Sequence, residues 1–294
     1  MTDAPLTGAA SARPAPAPLR ERRDRIGLLA APGLTFLAVI YALPLLLLLL
    51  KSFQIDGQFS VAEYRTFFAE DYNLNVLSRT LRVATLTTLL ALALAYPTAV
   101  VMARARGAWL SVFLVAMVLP MSVGVVVKAF AWSILFRTRG VINDTLISLG
   151  IVDVPIRMLF TETALIIGAA NVFLPFMVLP IYAVLRQMDG RLPEAAATLG
   201  AGPFFRFFHV TLPLSLPGVV AGCAFVFSLA ISMYVIPSLI VGERQQTLSM
   251  LIARSFLYLR NEALGATISS ILLMIAVAVV MGSSVLAARL GGRR

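Results

Sequence analysis

Long stretches without charge constrain this sequence more than any other feature. The first, Leu28–Leu50, has 23 residues and contains no Asp, Glu, Lys or Arg. Five more apolar runs follow, which together contain a single charged residue: Val83–Ala103, Leu110–Phe136, Thr163–Leu185, Ser215–Val241 and Ala266–Ala287. A helix needs about 20 such residues to cross about 30 Å of hydrocarbon. The sequence therefore predicts an all-α polytopic membrane protein with six transmembrane helices.

The composition agrees with a membrane location. Hydrophobic residues make up 60% of the chain and charged residues 13%, against about 45–50% and about 25% in soluble domains. A transmembrane barrel is excluded because its strands would alternate apolar and polar residues. Two runs, Leu110–Phe136 and Ser215–Val241, exceed the length of one span, and Pro120 and Pro237 are the predicted break points within them.

The loops predict the orientation. Residues 1–27, rich in Ala, Pro and Arg, are expected to form a disordered cytoplasmic tail, residues 28–290 the six-helix domain, and residues 291–294 a second cytoplasmic tail. With both termini inside, the cytoplasmic side carries 13 Lys and Arg against 10 opposite, as the positive-inside rule requires. The net charge of +10 is then a topology signal and gives no indication of nucleic acid. Ser60–Glu63 has the spacing of a capping box and predicts a short interfacial helix after the first span.

Several kinds of chemistry are missing. None of the 14 acidic residues falls within a predicted span, which argues against a proton-coupled carrier. The sequence lacks the G-x-x-x-x-G-K-[ST] loop that cradles the phosphates of ATP. Cys223 and His209 are the only residues of their types, so an internal disulfide and a Cys/His metal site are excluded. We expect no enzymatic activity and no cofactor bound by this chain.

A small set of residues within the spans could line a solute pathway. Lys128 is the one charge inside a span, and its side chain could either extend to the interface or face a water-filled pathway. Asn171, Ser232 and Tyr234 are polar groups at depth, each able to bond a neighbouring helix or a solute. Trp132 has the position of an interfacial anchor and completes the candidate set.

The segment between the fourth and fifth spans, residues 186–214, is the most informative. Pro193–Leu199 predicts a short helix, with Glu194 near its positive end and Gly200 as its cap. An aromatic cluster with two interleaved cations follows: Phe204, Phe205, Arg206, Phe207, Phe208 and His209. These residues fit either an amphipathic helix in the headgroup region or a helical projection that docks into a groove of a soluble partner.

One pattern in this segment resembles the EAA loop of permease subunits of bacterial ABC importers. That pattern is Glu-Ala-Ala, three residues, Gly, nine residues, an aliphatic residue, one residue and Leu-Pro, and here Glu194, Ala195, Ala196, Gly200, Val210, Leu212 and Pro213 match it. In that family the loop forms coupling helices in a cleft of a separate ATPase. The resemblance implies that Gly200 permits a turn where a side chain would clash. The ATPase-coupling residues it implies are Glu194, Ala195, Ala196, Gly200, Phe204, Phe205, Arg206, Leu212 and Pro213.

Other stretches are similar to spermidine/putrescine-type permeases: Arg139–Asn143, Phe173–Tyr182 and Lys128–Trp132. This resemblance implies a type I ABC importer permease in the bacterial inner membrane that forms half of a translocation pathway. It also implies a second permease subunit in a heterodimer, two ATPase subunits that use the ATP, and a periplasmic solute-binding protein. It favours a polyamine solute, although Lys128 facing the pathway would count against a cation.

Two other functions compete with this interpretation. A stand-alone secondary carrier or channel for a small solute would work without an ATPase and would tolerate deletion of residues 194–200. A membrane scaffold without transport activity would give no solute phenotype.

Overall fold

The computed structural model describes residues 26–55 and 57–291. This part of the chain is helical apart from an antiparallel hairpin of β1, Gln54–Ile55, and β2, Gln58–Phe59. The helices are α1 Ile26–Ser52, α2 Ala62–Ala69, α3 Asp71–Arg104, α4 Ala108–Ser122, α5 Val125–Leu135, α6 Val141–Ser148, α7 Glu162–Gln187, α8 Arg191–Thr198, α9 Pro203–Arg206, α10 Leu212–Ser232, α11 Val235–Ile240, α12 Leu248–Leu257 and α13 Glu262–Gly291. The described chain also has a π turn at Phe207–Thr211 and a 3-10 turn at Gly242–Gln245.

The predicted spans are present as helices. Within the described residues, five helices are long and apolar enough to cross a membrane, and six if the bent pair α4 and α5 counts as one span. The helical, multi-pass architecture is confirmed. The predicted tail of residues 1–27 lies mostly outside the described residues, and α1 begins at Ile26, two residues before the predicted boundary.

The third predicted span is not one helix. Residues 110–136 are divided at Val123 and Gly124, and the axes of α4 and α5 meet at 97°. The break lies three residues after Pro120, where both residues adopt extended backbone. The 15 residues of α4 reach about 22 Å at 1.5 Å per residue, which is less than the thickness of the hydrocarbon.

The fifth predicted span is also interrupted. The chain leaves the helix at Met233 and Tyr234, one turn before Pro237. Pro237 has no N–H to donate to the Met233 carbonyl, and its ring would clash with that carbonyl in a continuous helix. The helices that follow the two breaks, α5 and α11, pack against each other.

Small residues allow the spanning helices to pack closely. Ala91, Ala95 and Ala99 are fully buried on α3, which packs against α7 and α10. A Cβ atom added at Gly218 of α10 would lie 2.9 Å from the Pro180 carbonyl oxygen, and one at Gly222 would lie 2.8 Å from Met177 Sδ. Such close approach of backbones is the usual source of stability between helices in a membrane.

The predicted helix after the first span exists as α2, but its cap differs from the capping box. Ser60 Oγ accepts a hydrogen bond from the Ala62 N–H at 3.1 Å rather than from Glu63. Val61 occupies the N-cap position and makes no side-chain cap bond. Phe67 anchors α2 because its side chain is fully buried.

Candidate functional site

The candidate coupling segment begins with a turn built by Asp189. Its carboxylate accepts a hydrogen bond from the Arg191 N–H at 2.9 Å, and its carbonyl accepts from the Leu192 N–H at 3.2 Å. These bonds satisfy two N–H groups that a helix start leaves without partners. As a result α8 begins at Arg191, two residues before the predicted start, and Glu194 lies in its first turn, where the helix dipole favours a carboxylate.

The end of α8 is a Schellman motif. The Gly200 N–H donates to the Ala197 carbonyl and the Ala201 N–H to the Ala196 carbonyl, each at 3.0 Å, which is the bonding pattern of that motif. Gly200 has a φ of +84°, a conformation that residues with a Cβ rarely adopt. A Cβ added at Gly200 meets no described atom within 4 Å beyond the adjacent residues, so the clash that a side chain would make here is with the local backbone. The turn requires glycine for its backbone angle.

The second half of the segment continues into the fifth span. α9, the π turn and α10 form one helix of 30 residues, Pro203–Ser232. Within the π turn the Leu212 N–H bonds the Phe207 carbonyl, five residues back. Pro213 accounts for this turn, because its ring would clash with the His209 carbonyl in regular α-helix. The Leu212-Pro213 pair therefore marks a widened turn inside a continuous helix.

The segment presents apolar side chains that nothing in the described chain covers. Leu199 is 88% exposed and Phe204 is 80% exposed, and Phe205 and Phe208 are also exposed. A hollow of about 380 Å³ lies between Leu199 and Phe205, and its lining residues are Ala196, Leu199, Gly200, Ala201, Gly202 and Phe205. Exposed apolar surface of this kind marks a contact with another protein or with the membrane.

The remaining coupling candidates fall into two groups. Glu194 and Ala195 are exposed on α8, and Arg206 is half-buried, with no hydrogen-bond partner for its Nε among the described residues. Leu212 and Pro213 lie further along the helix and do not line the hollow.

The segment is connected to α3 by one aromatic contact. The rings of Phe207 and Tyr96 meet edge to face with their centroids 5.6 Å apart. The Tyr96 hydroxyl lies 2.9 Å from Ser215 Oγ, at the beginning of the buried part of α10. A displacement of α9 would therefore reach both α10 and α3.

The structure brings two of the pathway candidates together. Trp132 Nε1 donates a hydrogen bond to Asn171 Oδ1 at 3.2 Å. Lys128 lies one turn earlier on α5 and is half-buried, and its ammonium has no hydrogen-bond or carboxylate partner among the described residues. Ser232 Oγ donates to the Ser228 carbonyl at 2.8 Å, so it bonds its own helix instead of a neighbour. Tyr234 is exposed at the break before α11 and lines a hollow of about 150 Å³.

A set of polar contacts at the other end of α7 was not predicted. Glu162 accepts hydrogen bonds from Arg79 at 3.2 Å and from Arg82 at 2.7 Å. The Leu248 N–H donates to Thr80 Oγ1 at 2.9 Å in a buried position, and the Tyr72 hydroxyl donates to Gln246 Oε1 at 2.7 Å. We call these residues the polar network: Tyr72, Arg79, Thr80, Arg82, Glu162, Gln246 and Leu248. The feature of the sequence that could have indicated this network is the position of Arg79, Arg82 and Glu162 just outside two predicted spans.

Comparison with known proteins decides the family. Residues 26–289 match the family described as "Binding-protein-dependent transport system inner membrane component". The chain belongs to this family. The spermidine/putrescine transport system permease protein PotB of Haemophilus influenzae is 34% identical over 242 residues, which cover 80% of this chain and 84% of that protein. PotB of Escherichia coli is 33% identical over 207 residues, covering 70% and 74%. The molybdenum transport system permease protein ModB of Mycobacterium bovis is 30% identical over 200 residues, covering 68% and 74%.

Solved structures agree on the fold. A bacterial ABC transporter for the acidic polysaccharide alginate superposes with a TM-score of 0.72 at 17% identity, covering 90% of this chain and 96% of that one. The MetNI methionine ABC transporter gives a TM-score of 0.54 at 16% identity, covering 75% and 99%. The predicted type I importer permease fold is therefore confirmed. The chain is a multi-pass inner-membrane permease subunit of an ABC importer, and a stand-alone carrier or channel is not favoured.

Proposed function

We propose that this chain forms half of the translocation pathway of a polyamine importer and receives its energy from a separate ATPase through α8 and α9. The observation that carries the coupling role is the uncovered apolar surface of Phe204, Phe205 and Phe208, which lie on a helix continuous with the fifth span, together with Leu199 at the end of α8. The sequence has no phosphate loop, so ATP is bound by the partner.

In this proposal, movement of α8 and α9 is transmitted to the spanning helices. Leu199 and Phe204 insert into an apolar groove of the ATPase subunit, as helical segments do in other grooves. Closure of the ATPase dimer then displaces α8 and α9. Because Pro203–Ser232 is one helix, the displacement moves α10 directly, and the Phe207–Tyr96 contact carries it to α3.

The proposal includes the rest of the importer. A second permease completes the pathway as a heterodimer, two ATPase subunits bind the two coupling segments, and a periplasmic binding protein delivers the solute. All of the side chains of α4 are at least partly exposed, Val112, Val115 and Leu119 prominently, which leaves this helix available to lipid or to the second permease. The coupling segment and both termini lie on the cytoplasmic side, as the loop charges favour.

The polyamine assignment rests on the PotB relatives at 33–34% identity. A cationic solute would be repelled by a nearby ammonium group. Lys128 and Trp132 are four residues apart on α5 and so lie on the same face of it. If the Trp132–Asn171 pair borders the route of the solute, the polyamine assignment requires the Lys128 side chain to extend along the helix so that its ammonium group stays out of that route.

The test is reconstitution of the chain with its second permease and ATPase in liposomes, with the binding protein added outside. We expect spermidine uptake that requires ATP and stops when Phe204 is replaced by Asp, which would place a carboxylate in an apolar interface. Phe59, which is 79% exposed in the β hairpin, supplies the control variant Phe59→Asp. Uptake by the chain alone, or uptake by Phe204→Asp at the normal rate, would refute the coupling role. Uptake of molybdate in place of spermidine would refute only the assignment of the solute as a polyamine.

A further inference from the structure

Four arginines cluster at the end of α7 opposite the coupling segment. Arg137 and Arg139 follow α5, Arg157 precedes α7, and Arg244 lies in the 3-10 turn after α11. We call these four residues the arginine cluster. All four side chains are exposed, and within residues 26–55 and 57–291 none of them forms an ion pair with a carboxylate. The polar network, by contrast, pairs both of its arginines with Glu162.

The cluster surrounds two adjoining hollows. Arg137, Arg139 and Arg157 line the first, which has a volume of about 530 Å³. Arg157 and Arg244 line the second, of about 300 Å³, together with Glu243. Phe160 contributes to both. Three guanidinium groups around one hollow form a site for a phosphate, because each can donate two parallel hydrogen bonds to its oxygens.

The backbone that carries these arginines is fixed. Asn143 is fully buried, and its Nδ2 donates to the carbonyls of Arg137 at 3.2 Å and Ile156 at 2.9 Å. Its Oδ1 accepts from the Ile156 N–H at 2.8 Å. A Cβ atom added at Gly140 would lie 2.6 Å from the Leu135 carbonyl oxygen, so glycine is needed for this close approach. The cluster is therefore held in place by buried contacts.

The cluster lies at the boundary of the apolar spans. Glu162 begins α7 and pairs with Arg79 and Arg82, which come directly before the charge-free run 83–103. This level is where the hydrocarbon begins. The Leu159 N–H bonds the Phe136 carbonyl, and the Phe160 N–H bonds the Ile240 carbonyl, which holds the frame of the cluster at the same level. Arginines at this depth face lipid headgroups.

The stretch between α6 and α7 that carries Arg157 also exposes apolar side chains. Leu149, Ile151 and Val154 are each at least 64% exposed, and lipid chains would cover them. We propose that the arginine cluster binds the phosphate of an anionic phospholipid in the leaflet opposite the coupling segment. The lipid would hold the segment between α5 and α7 against the bilayer. This site does not depend on the identity of the solute.

The test measures lipid binding to the purified full-length chain in detergent by native mass spectrometry and by thermal stabilisation. The probes are phosphatidylglycerol and, as the zwitterionic comparison, phosphatidylcholine. The cluster variant is Arg137→Gln/Arg139→Gln/Arg157→Gln. The control variant, Arg65→Gln/Arg254→Gln/Arg260→Gln, removes the same charge from three exposed arginines that line neither hollow.

We expect the wild type and the control to bind phosphatidylglycerol with equal affinity and the cluster variant to bind it about tenfold or more weakly. If the cluster variant elutes as misfolded protein, a second variant replaces the same three arginines by Lys and so keeps the charge. We expect its affinity for phosphatidylglycerol to fall several-fold, because lysine cannot bind bidentately.

Equal binding of phosphatidylglycerol by all variants would overturn the proposal. So would equal stabilisation by inorganic phosphate, which would indicate a free-anion site. Unchanged lipid binding by the cluster variant, together with a loss of uptake driven by the solute-binding protein in reconstituted liposomes, would overturn it in favour of an acidic protein surface.

Discussion

The two ends of α7 are built in opposite ways. At the coupling end, α8 and α9 are shaped by bonds between near neighbours in sequence, namely the Asp189 turn and the Schellman motif at Gly200. At the other end, the polar network joins residues that are 80 or more positions apart, such as Arg79 with Glu162 and Thr80 with Leu248. Local bonds give α8 and α9 their shape, whereas distant bonds hold separate helices together. We therefore expect changes at the coupling end to affect transport and changes in the polar network to affect stability.

The largest effect should come from Gly200→Val. A β-branched residue at a φ of +84° carries a strain of about 1–2 kcal/mol or more, which would abolish the Schellman motif and the angle between α8 and α9. We expect ATP-driven uptake to be lost while the protein still inserts and purifies normally. The matched control is Gly190→Val, because Gly190 has a φ of −60°, an added Cβ meets no described atom within 4 Å, and the residue does not line the hollow of the coupling segment. If both variants transport alike, the shape of this turn does not matter for coupling.

Thr80→Val should produce the largest loss of stability. The Thr80 hydroxyl accepts from the Leu248 N–H in a buried position, and valine would leave that donor unsatisfied at a cost of about 1–3 kcal/mol. The control is Thr88→Val, because Thr88 Oγ1 only donates to the Ala84 carbonyl of its own helix. Thermal unfolding of the two variants in the same detergent gives the comparison. Equal melting temperatures would show that the bond between α3 and α12 contributes nothing to stability.

The same contrast explains what the sequence could predict. The spans, α2, α8 and the glycine after α8 follow from local patterns: apolar length, a proline in the first turn, and a glycine at a helix end. The polar network depends on which loops meet in space, and Arg79 and Glu162 read only as charges that flank two spans. The axis change at Gly124 had a local signal in Pro120, but its 97° angle depends on packing of α5 against α11. At Gly200 the pattern predicted a tight turn that a side chain would not allow, and the structure adds that the conflict is with the local backbone and not with a neighbouring helix.

Glu162→Gln should have a smaller effect than Thr80→Val. Glu162 is 24% exposed and Arg82 is 58% exposed, so solvent weakens their ion pair and the loss should be about 1 kcal/mol. The distinguishing measurement is the salt dependence of the melting temperature. The wild type should lose stability as salt screens the Glu162 pairs, and Glu162→Gln should respond less. The control is Asp153→Asn, an exposed carboxylate with no ion pair in the described chain. If the melting temperatures of all three proteins change with salt in the same way, the Glu162 ion pairs do not contribute to stability at this end of α7.

The smallest effect on stability should come from the Trp132–Asn171 pair, which belongs to neither end. Trp132→Phe keeps a ring that can stack on Phe136, whose centroid lies 5.0 Å away, and loses only the hydrogen bond to Asn171. The cost in stability should be about 1 kcal/mol or less. If the pair borders the solute route, the freed Asn171 amide changes what the solute meets, so we expect KM for uptake to rise several-fold with kcat nearly constant.

The control for this pair is Ser232→Ala, because Ser232 bonds only its own helix and its loss should leave both KM and melting temperature unchanged. An unchanged KM in Trp132→Phe would assign the pair to packing between α5 and α7. A double-mutant cycle of Trp132→Phe with Asn171→Leu separates the bond itself from changes in shape. A coupling energy near zero would mean that the 3.2 Å contact has no energetic role, and the solute route would then have to be sought at Tyr234 and the break before α11.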